Sequence, residues 1–273
     1  MSEPRIDGSA RLSLAGRAGR TVLAGLFQQG SLRVFRPRPA PGDIANVVLL
    51  NTSGGLVGGD RLEVRAEIGP GAAAVITSQA AEKVYRSLGR DAAFDAHLDL
   101  VGNAWLEWLP QETILFDGAR LRRALRIDLA PEARLIAGDI LVFGRRARGE
   151  RFRSGCLVDR WEVRIGGRLV WADVLRLDGV ESQIEAPFGF AGAGACAAWI
   201  YVASDAGRWL ELARHLADRP GVRAGATLIG PVLIVRWLAA DPAALTGAVQ
   251  HYCARFRHAV RGLPARAPAI WSS

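Results

Sequence analysis

The feature that most restricts how this chain folds is a strand, tight turn and strand that recur at near-constant spacing. Three texts carry it. VRAEIGPGAAAVIT turns at Gly69 to Ala72, FDAHLDLVGNAWLEWL at Val101 to Ala104, and LRIDLAPEARLIAG at Ala130 to Ala133. With Ala72, Ala104 and Ala133 as markers, the intervals are 32 and 29 residues. A hairpin with one apolar face cannot bury that face alone, so three in succession are expected to stack. The expectation is a mainly β chain of layered, solenoid-like sheets; a plain antiparallel sandwich fits the same pattern. A longer polar excursion follows each unit: SQAAEKVYRSLG, PQETILFDGARLRR and GDILVFGRRARGERF. Stacking at similar register brings these excursions to one side, the candidate working face.

Ahead of the repeat, residues 20–35 read as two strands that turn at Gly30, and Val47 to Leu50 as a buried strand. That strand runs into LLNTSGGLVGGD, where Gly54, Gly55, Gly58 and Gly59 let the backbone fold tightly and deliver Asp60 at a fixed spot. A phosphate-binding loop is excluded, because Gly59 is followed by Asp60 and Arg61 and no helix is predicted there. After the repeat, RWEVRIGGRLVWADVLRLDG is a hairpin around Gly166 and Gly167, with Trp161 and Trp171 as cross-strand partners and Asp173 late in its second strand. FGFAGAGACAAWIYVAS supplies a glycine turn and a buried strand. Two C-terminal α-helices are predicted. One is capped by Asp205 and carries Trp209, Leu212, Ala213 and Leu216. The other is opened by Asp241-Pro242 and carries Leu245, Val249, Tyr252, Phe256 and Val260. An apolar hairpin broken by Pro231 lies between them, and Gly221 and Gly262 follow the two helices. The organisation expected is one domain over 1–273: a start without definition at 1–19, a β framework at 20–200, and an α+β end piece at 201–273 packed on it.

Composition narrows the function classes. Cys156, Cys196 and Cys253 are odd in number and in no CxxC pattern, which argues against a disulfide framework or a thiolate metal site. His251 and His258 share a helix without a third ligand nearby. No run approaches the roughly 20 apolar residues of a membrane helix. The N-terminus MSEPRIDGSARL has no apolar core of a secretory signal, so a cytoplasmic protein is expected. The net charge of +8 rests on 35 basic residues, of which Lys83 alone is lysine. Arginines crowd at 120–126 and 145–153, yet acidic residues are interleaved and no nucleic-acid-binding signature appears. Acidic protein partners explain such a surface as well as nucleic acid does. Glu107, Glu112 and Asp117 could form an acid/base pair of the glycosidase kind, although GxSxG, HExxH and dinucleotide-binding fingerprints are absent. A β-rich carbohydrate-active enzyme and a basic nucleic-acid-binding protein are therefore the rival readings.

The runs NTSGGLVGGDRL, GPGA, TSQAAEKVYRS, LEWLPQETILFDGA, GRRARGERF, LVWADVLRLDG and the closing GLPARAPAIW together resemble the urease accessory protein UreD family, also called UreH. The likeness covers about residues 20–185 and the last ten. It departs from the family pattern at Gly138, where many relatives carry Trp before the Asp that is Asp139 here. The resemblance implies a predominantly β fold, helix-like in its winding, with two α-helices. It also implies a non-enzymatic maturation factor that binds apo-urease and the accessory protein UreF, which recruits the GTPase UreG, so that the assembly places two nickel ions in urease. It allows a homodimer within the accessory complex, and implies no tightly bound cofactor, only transient Ni²⁺ in an interior water-filled passage. A protein that hands Ni²⁺ onward must not trap it with imidazole and thiolate, and few His and scattered Cys suit that role. By motif position the candidate carboxylates of such a path are Asp60, Asp139 and Asp173, with Glu107, Glu112 and Asp117 as secondary candidates. Each also has an ordinary role open to it, capping a turn or pairing with an arginine. Arg145, Arg146, Arg148, Arg151 and Arg153 form a candidate docking patch for an acidic partner.

Overall fold

In the computed structural model the two strands of each repeat unit part at the turn and join different sheets, so the units are arches and not the hairpins expected from sequence. Residues 6–178 and 180–272 are described. The chain opens with β1 (Asp7–Arg17), β2 (Arg20–Gly30), β3 (Leu32–Phe35) and β4 (Ala45–Asn51). The first coil is β5 (Arg61–Ile68), β6 (Ala73–Ser78) and β7 (Glu82–Val84). The second is β8 (Ala92–Leu100), β9 (Trp105–Leu109) and β10 (Thr113–Leu115), and the third is β11 (Arg120–Leu129) with β12 (Arg134–Phe143). There follow β13 (Cys156–Ile165), β14 (Arg168–Leu177), α1 (Val180–Glu185), β15 (Ala195–Val202), α2 (Leu210–Ala217), β16 (Arg223–Ile229), β17 (Val232–Ala239) and α3 (Pro242–Arg261).

Like strands of successive coils pair in parallel. Arg61 lies opposite Ala93 and Ala92 opposite Leu121 in one sheet; Ala73 lies opposite Trp105 and Trp105 opposite Arg134 in the other. These offsets equal the spacing of the turn markers. The turns themselves stack, with the N–H groups of Val101, Ala130 and Gly166 donating to the carbonyls of Ile68, Leu100 and Leu129 at 2.9, 2.8 and 2.9 Å. Ala72, Ala104 and Ala133 are buried at this corner, where the sheets converge. The excursions stack as expected. Leu56 bridges to Val84, β7 pairs with β10, and β10 pairs with the end of β12, which makes a short third wall to the coil.

The first sheet has the order β14-β13-β11-β8-β5-β1-β2, and the second runs β16-β17-β15-β12-β9-β6-β4-β3. On β5 burial alternates residue by residue, because one face meets the facing sheet and the other meets water. On β12 nearly every residue is buried, because the facing sheet covers one side and α3 with its neighbours covers the other. The end piece is continuous with the framework, since β15, β17 and β16 extend the second sheet by antiparallel pairing. Trp161 and Trp171 meet edge to face across the β13–β14 hairpin with centroids 6.3 Å apart.

Two further expectations are corrected. The framework begins at Asp7 and not at residue 20, because Ala10, Leu12 and Leu14 of β1 are buried and β1 pairs in parallel with β5; residues 1–5 lie outside the described residues. Asp205 does not cap a helix by its side chain. A short 3-10 turn, Ala206–Trp209, precedes α2, and the Asp205 carboxylate instead accepts from the Tyr201 hydroxyl at 2.9 Å and from Arg134 Nη1 at 3.2 Å. The longer helix starts as expected, with Asp241 accepting from the N–H groups of Ala243 and Ala244, and it ends on Gly262 in the left-handed region. Among the described residues no helix is long and apolar enough to cross a membrane.

Candidate functional site

The alternation of β11 points Leu121, Arg123, Leu125 and Ile127 at the facing sheet, and that of β13 does the same for Leu157, Asp159, Trp161 and Val163. Arg123 and Asp159 are therefore charged side chains on an otherwise apolar inner face, directly opposite each other in the ladder. Arg123 Nε donates to Asp159 Oδ1 at 2.9 Å and Nη2 to Oδ2 at 2.6 Å, a two-pronged pairing. Nη2 also bonds Asp139 Oδ2, which reaches across from β12, and Nη1 donates to Thr113 Oγ1 at 3.2 Å. The three charged side chains are 10 %, 7 % and 8 % exposed for Arg123, Asp139 and Asp159. Burial pushes the Asp139 carboxyl up, to about 6; Arg123 pulls it down and Asp159 adds to the rise. Burial also disfavours the Arg123 charge, but the two carboxylates outweigh that and hold its pKa above the usual value. Asp139 Oδ1 is buried without a well-formed hydrogen bond, the Ile140 N–H being the one backbone donor beside this carboxyl.

The cluster stands between two cavities. An inner one of about 80 Å³, between the sheets, is bordered by Asn51, Glu82, Gln111, Thr113, Arg123 and Asp139 among others. An outer one of about 570 Å³, between the ends of the two sheets, is bordered by Asp139, Asp159, Asp173, Cys196 and Arg236 among others. Asp139 and Trp161 border both. Glu82 enters the inner cavity from the short third wall. Its carboxylate accepts from Asn51 Nδ2 at 3.1 and 3.3 Å, and burial pushes it up to about 7 despite that bond.

The carboxylates named from sequence separate in this frame. Asp139 and Asp173 border the outer cavity, where Asp173 accepts from Arg236 Nη2 at 2.6 Å. Asp60 closes the glycine corner instead: it is 1 % exposed, and its two oxygens accept from the N–H groups of Ile6 and Val57, both at 2.9 Å. Asp117 caps the loop at 153–154, accepting from the N–H groups of Arg153 and Ser154 at 3.0 and 2.9 Å. Glu107 lies on the far face of the second sheet, where it accepts from Arg257 Nε at 2.9 Å and Trp105 Nε1 at 3.2 Å. Glu112 borders neither cavity, and its carbonyl accepts the N–H of Glu82. With Glu107 sealed and Asp117 committed to a turn, these residues do not assemble the paired carboxylates of a glycosidase. Gly138 is accommodated by Trp199 directly across the ladder, whose ring lies 2.3 Å from where a Cβ would be.

Much of the arginine-rich excursion is paired within the chain. Arg145 bonds Glu150 and lies over the Phe116 ring at 4.3 Å, and Arg146 Nη2 donates to the Gly192 carbonyl at 3.3 Å. Arg151 and Arg153 lie 3.5 and 3.7 Å from Glu185 and Glu181, exposed pairs that exchange cheaply for a partner's carboxylates. Arg148 is exposed.

Sequence reasoning missed Arg123, Asp159 and Glu82. The first two interrupt the inward alternation Leu121, Leu125, Ile127 and Leu157, Trp161, Val163, a readable signal once the face is known. Glu82 has no such mark, because the facing of the three-residue strand β7 is set by the third wall of the coil. Among the described residues no group of three His, Cys, Asp or Glu side chains converges as a metal-holding set.

A family model described as UreD urease accessory protein matches residues 7–272. The chain is 45 % identical over 278 residues to "Urease accessory protein UreD" of Methylobacterium sp. (strain 4-46), an alignment that covers 100 % of this chain and 95 % of that one. It is 40 % identical over 272 residues to the protein of that name from Magnetococcus marinus, with 97 % and 94 % covered. The protein of that name from Azorhizobium caulinodans is 39 % identical over 269 residues, with 98 % and 97 % covered.

Proposed function

The chain belongs to the UreD family of urease accessory proteins, and from that premise we propose that it acts as a non-catalytic maturation scaffold for urease. In this reading it binds apo-urease and UreF, UreF brings the GTPase UreG, and the assembly delivers Ni²⁺ to the urease active site in a GTP-dependent step. Ni²⁺ is cargo, and the route it takes through this chain runs by Asp173 and Asp139 from the outer cavity to the inner one.

The observation that carries the conduit is Asp139, a residue that borders both cavities and has one buried carboxylate oxygen, Oδ1, left without a side-chain partner. Such an oxygen attracts a hydrated divalent cation, whereas a site rich in imidazole and thiolate would hold Ni²⁺ against release. His and Cys are scarce along this route; the Cys196 thiol borders the outer cavity, and burial raises its pKa far above the usual thiol range.

The test is co-expression with the urease structural subunits and the other accessory proteins. The chain should co-purify with apo-urease, and urease activity should depend on it. Asp139→Asn and Asp173→Asn should lower activation severalfold with co-purification unchanged. Full activation by both variants removes the conduit, and activation without the chain removes the scaffold.

A further inference from the structure

We infer that Arg123 is the gate of this passage, a tethered cation that must leave Asp139 and Asp159 before a divalent cation can move from the outer cavity to the inner one. The inference rests on the conduit reading above. Asp159 borders the outer cavity, Arg123 the inner one, and Asp139 both. The guanidinium already takes three of the four carboxylate oxygens at the junction, Asp159 Oδ1 and Oδ2 and Asp139 Oδ2. It occupies the place where a cation held by both aspartates would sit. The fourth oxygen, Asp139 Oδ1, is buried with no side-chain partner to give up, so it is the oxygen that an ion reaching the junction takes first. Passage is then an exchange, in which the ion takes the aspartates and the guanidinium moves away.

The structure supplies a second berth for the displaced side chain. Arg123 Nη1 already reaches Thr113 Oγ1. Thr113 is opposite Glu82 in the parallel β7–β10 ladder, where neighbouring strands lie about 4.8 Å apart. Glu82 borders the same inner cavity as Arg123 and, among the described residues, has no ion-pair partner; Lys83, the nearest cation in sequence, has an exposed side chain position on the opposite face of its strand. An arginine that swings past Thr113 finds a carboxylate there. In the closed state the guanidinium serves Asp139 and Asp159; in the open state the divalent cation serves them and Glu82 receives the guanidinium. The aspartates and the guanidinium have partners in both states, which lowers the cost of the exchange away from bulk water.

Equilibrium dialysis of the purified full chain against NiCl₂, alongside urease activation, tests the gate. Arg123→Gln frees the aspartates and should bind Ni²⁺ at least tenfold more tightly and lower activation by retaining it. Arg123→Lys keeps the tethered charge and should restore weak binding. Glu82→Gln removes the second berth and should weaken Ni²⁺ binding severalfold, a shift of the opposite sign that mere loosening of the cavity would not produce. Unchanged Ni²⁺ affinity in Glu82→Gln, or shifts of the same sign in Glu82→Gln and Arg123→Gln, overturn the gate. Should Arg123→Gln fail to fold, Arg123→Lys and Glu82→Gln decide it: weak binding in the first and weaker in the second support the gate, and equal binding overturns it. Asp139→Asn separates the two readings. Lowered activation in that variant with no Ni²⁺ shift in the others leaves the conduit standing without a gate, and full activation removes both.

Discussion

Replacing Arg257 with methionine should unfasten α3 and the C-terminal segment from the second sheet, at a cost that depends on pH. Arg257 is 3 % exposed on its side chain and Glu107 is 0 % exposed. Nε donates to Glu107 at 2.9 Å, Nη2 to Asp43 at 2.7 Å, and Nη1 to the carbonyls of Pro264 and Arg266, both at 3.3 Å. Burial already pushes the Glu107 carboxyl up, and Arg257 is the main influence against it. Without the guanidinium, Glu107 folds only as the neutral acid. Holding a group with an ordinary value of 4.5 neutral costs up to about 3 kcal/mol at pH 7 relative to a wild type with Glu107 ionised, and under about 1 kcal/mol at pH 5. The bonds lost by Asp43 and the two carbonyls add about 1 kcal/mol, since Asp43 keeps Arg266 at 3.5 Å. The sum at pH 7, up to about 4 kcal/mol, falls within the 3–5 kcal/mol typical of a broken buried pair.

The sign is set by protons. Between 4.5 and 7 the folded variant holds a proton that the unfolded chain has released, so its stability falls as pH rises. Urea unfolding followed by fluorescence of the eight tryptophans should show a midpoint lowered by roughly 1–2 M at pH 7 and by much less at pH 5. Adding Glu107→Gln to the Arg257→Met background should return up to about 3 kcal/mol at pH 7 and little at pH 5. Equal losses at both pH values, with no return from Glu107→Gln, would mean that Arg257 acts by packing and by its carbonyl bonds, and that the charge argument is wrong.

Gly138→Ala should cost about 1–3 kcal/mol in urea unfolding, because its Cβ would meet the Trp199 ring at 2.3 Å, and Trp199→Ala should absorb most of that penalty. Asp60→Asn should lower the melting temperature by the equivalent of about 1–3 kcal/mol, because an amide has one accepting oxygen for the two N–H groups of Ile6 and Val57, while activation per folded molecule stays at the wild-type level. Glu82 has its carboxyl raised to about 7, so its stabilising contribution is present below 4.5 and is lost as pH rises through 7. Glu82→Gln should flatten that fall by about 1–2 kcal/mol between pH 5 and 8, a figure discounted for the residue's partial exposure.

The coil was legible because its period is written twice, in the turn texts and in the strand lengths between them. What could not be read is whether the two strands of a unit pair with each other. GPGA and APEA close a turn in either case, and alternating burial looks alike in a hairpin and in an arch. The choice lies in the hydrogen bonds, which run to residues 32 and 29 positions away. β1 was passed over because Ala10 and the serines and glycines around Leu12 and Leu14 carry little apolar weight, although their period of two is regular. At the site, Asp139 stands out as the one acid within LIAGDILVF. The partners of Asp139 do not stand out, because a polar residue marks itself as inward only when the facing of its strand is known.

Two buried clusters of the same composition, one arginine between two carboxylates, show why Asp139 is treated as a site and Glu107 is not. Around Arg257 both Glu107 oxygens are taken, by Arg257 Nε and Trp105 Nε1, and three guanidinium nitrogens have acceptors; Glu107 borders neither of the two cavities. That arrangement resists exchange, because any displaced member would be left charged in an apolar layer. Around Arg123 the same chemistry is left one bond short at Asp139 Oδ1, faces free volume on two sides, and has another carboxylate, Glu82, on the same inner cavity. A buried ion pair fastens a fold when every lone pair is used, and admits a ligand when one is left over beside a space that water can fill.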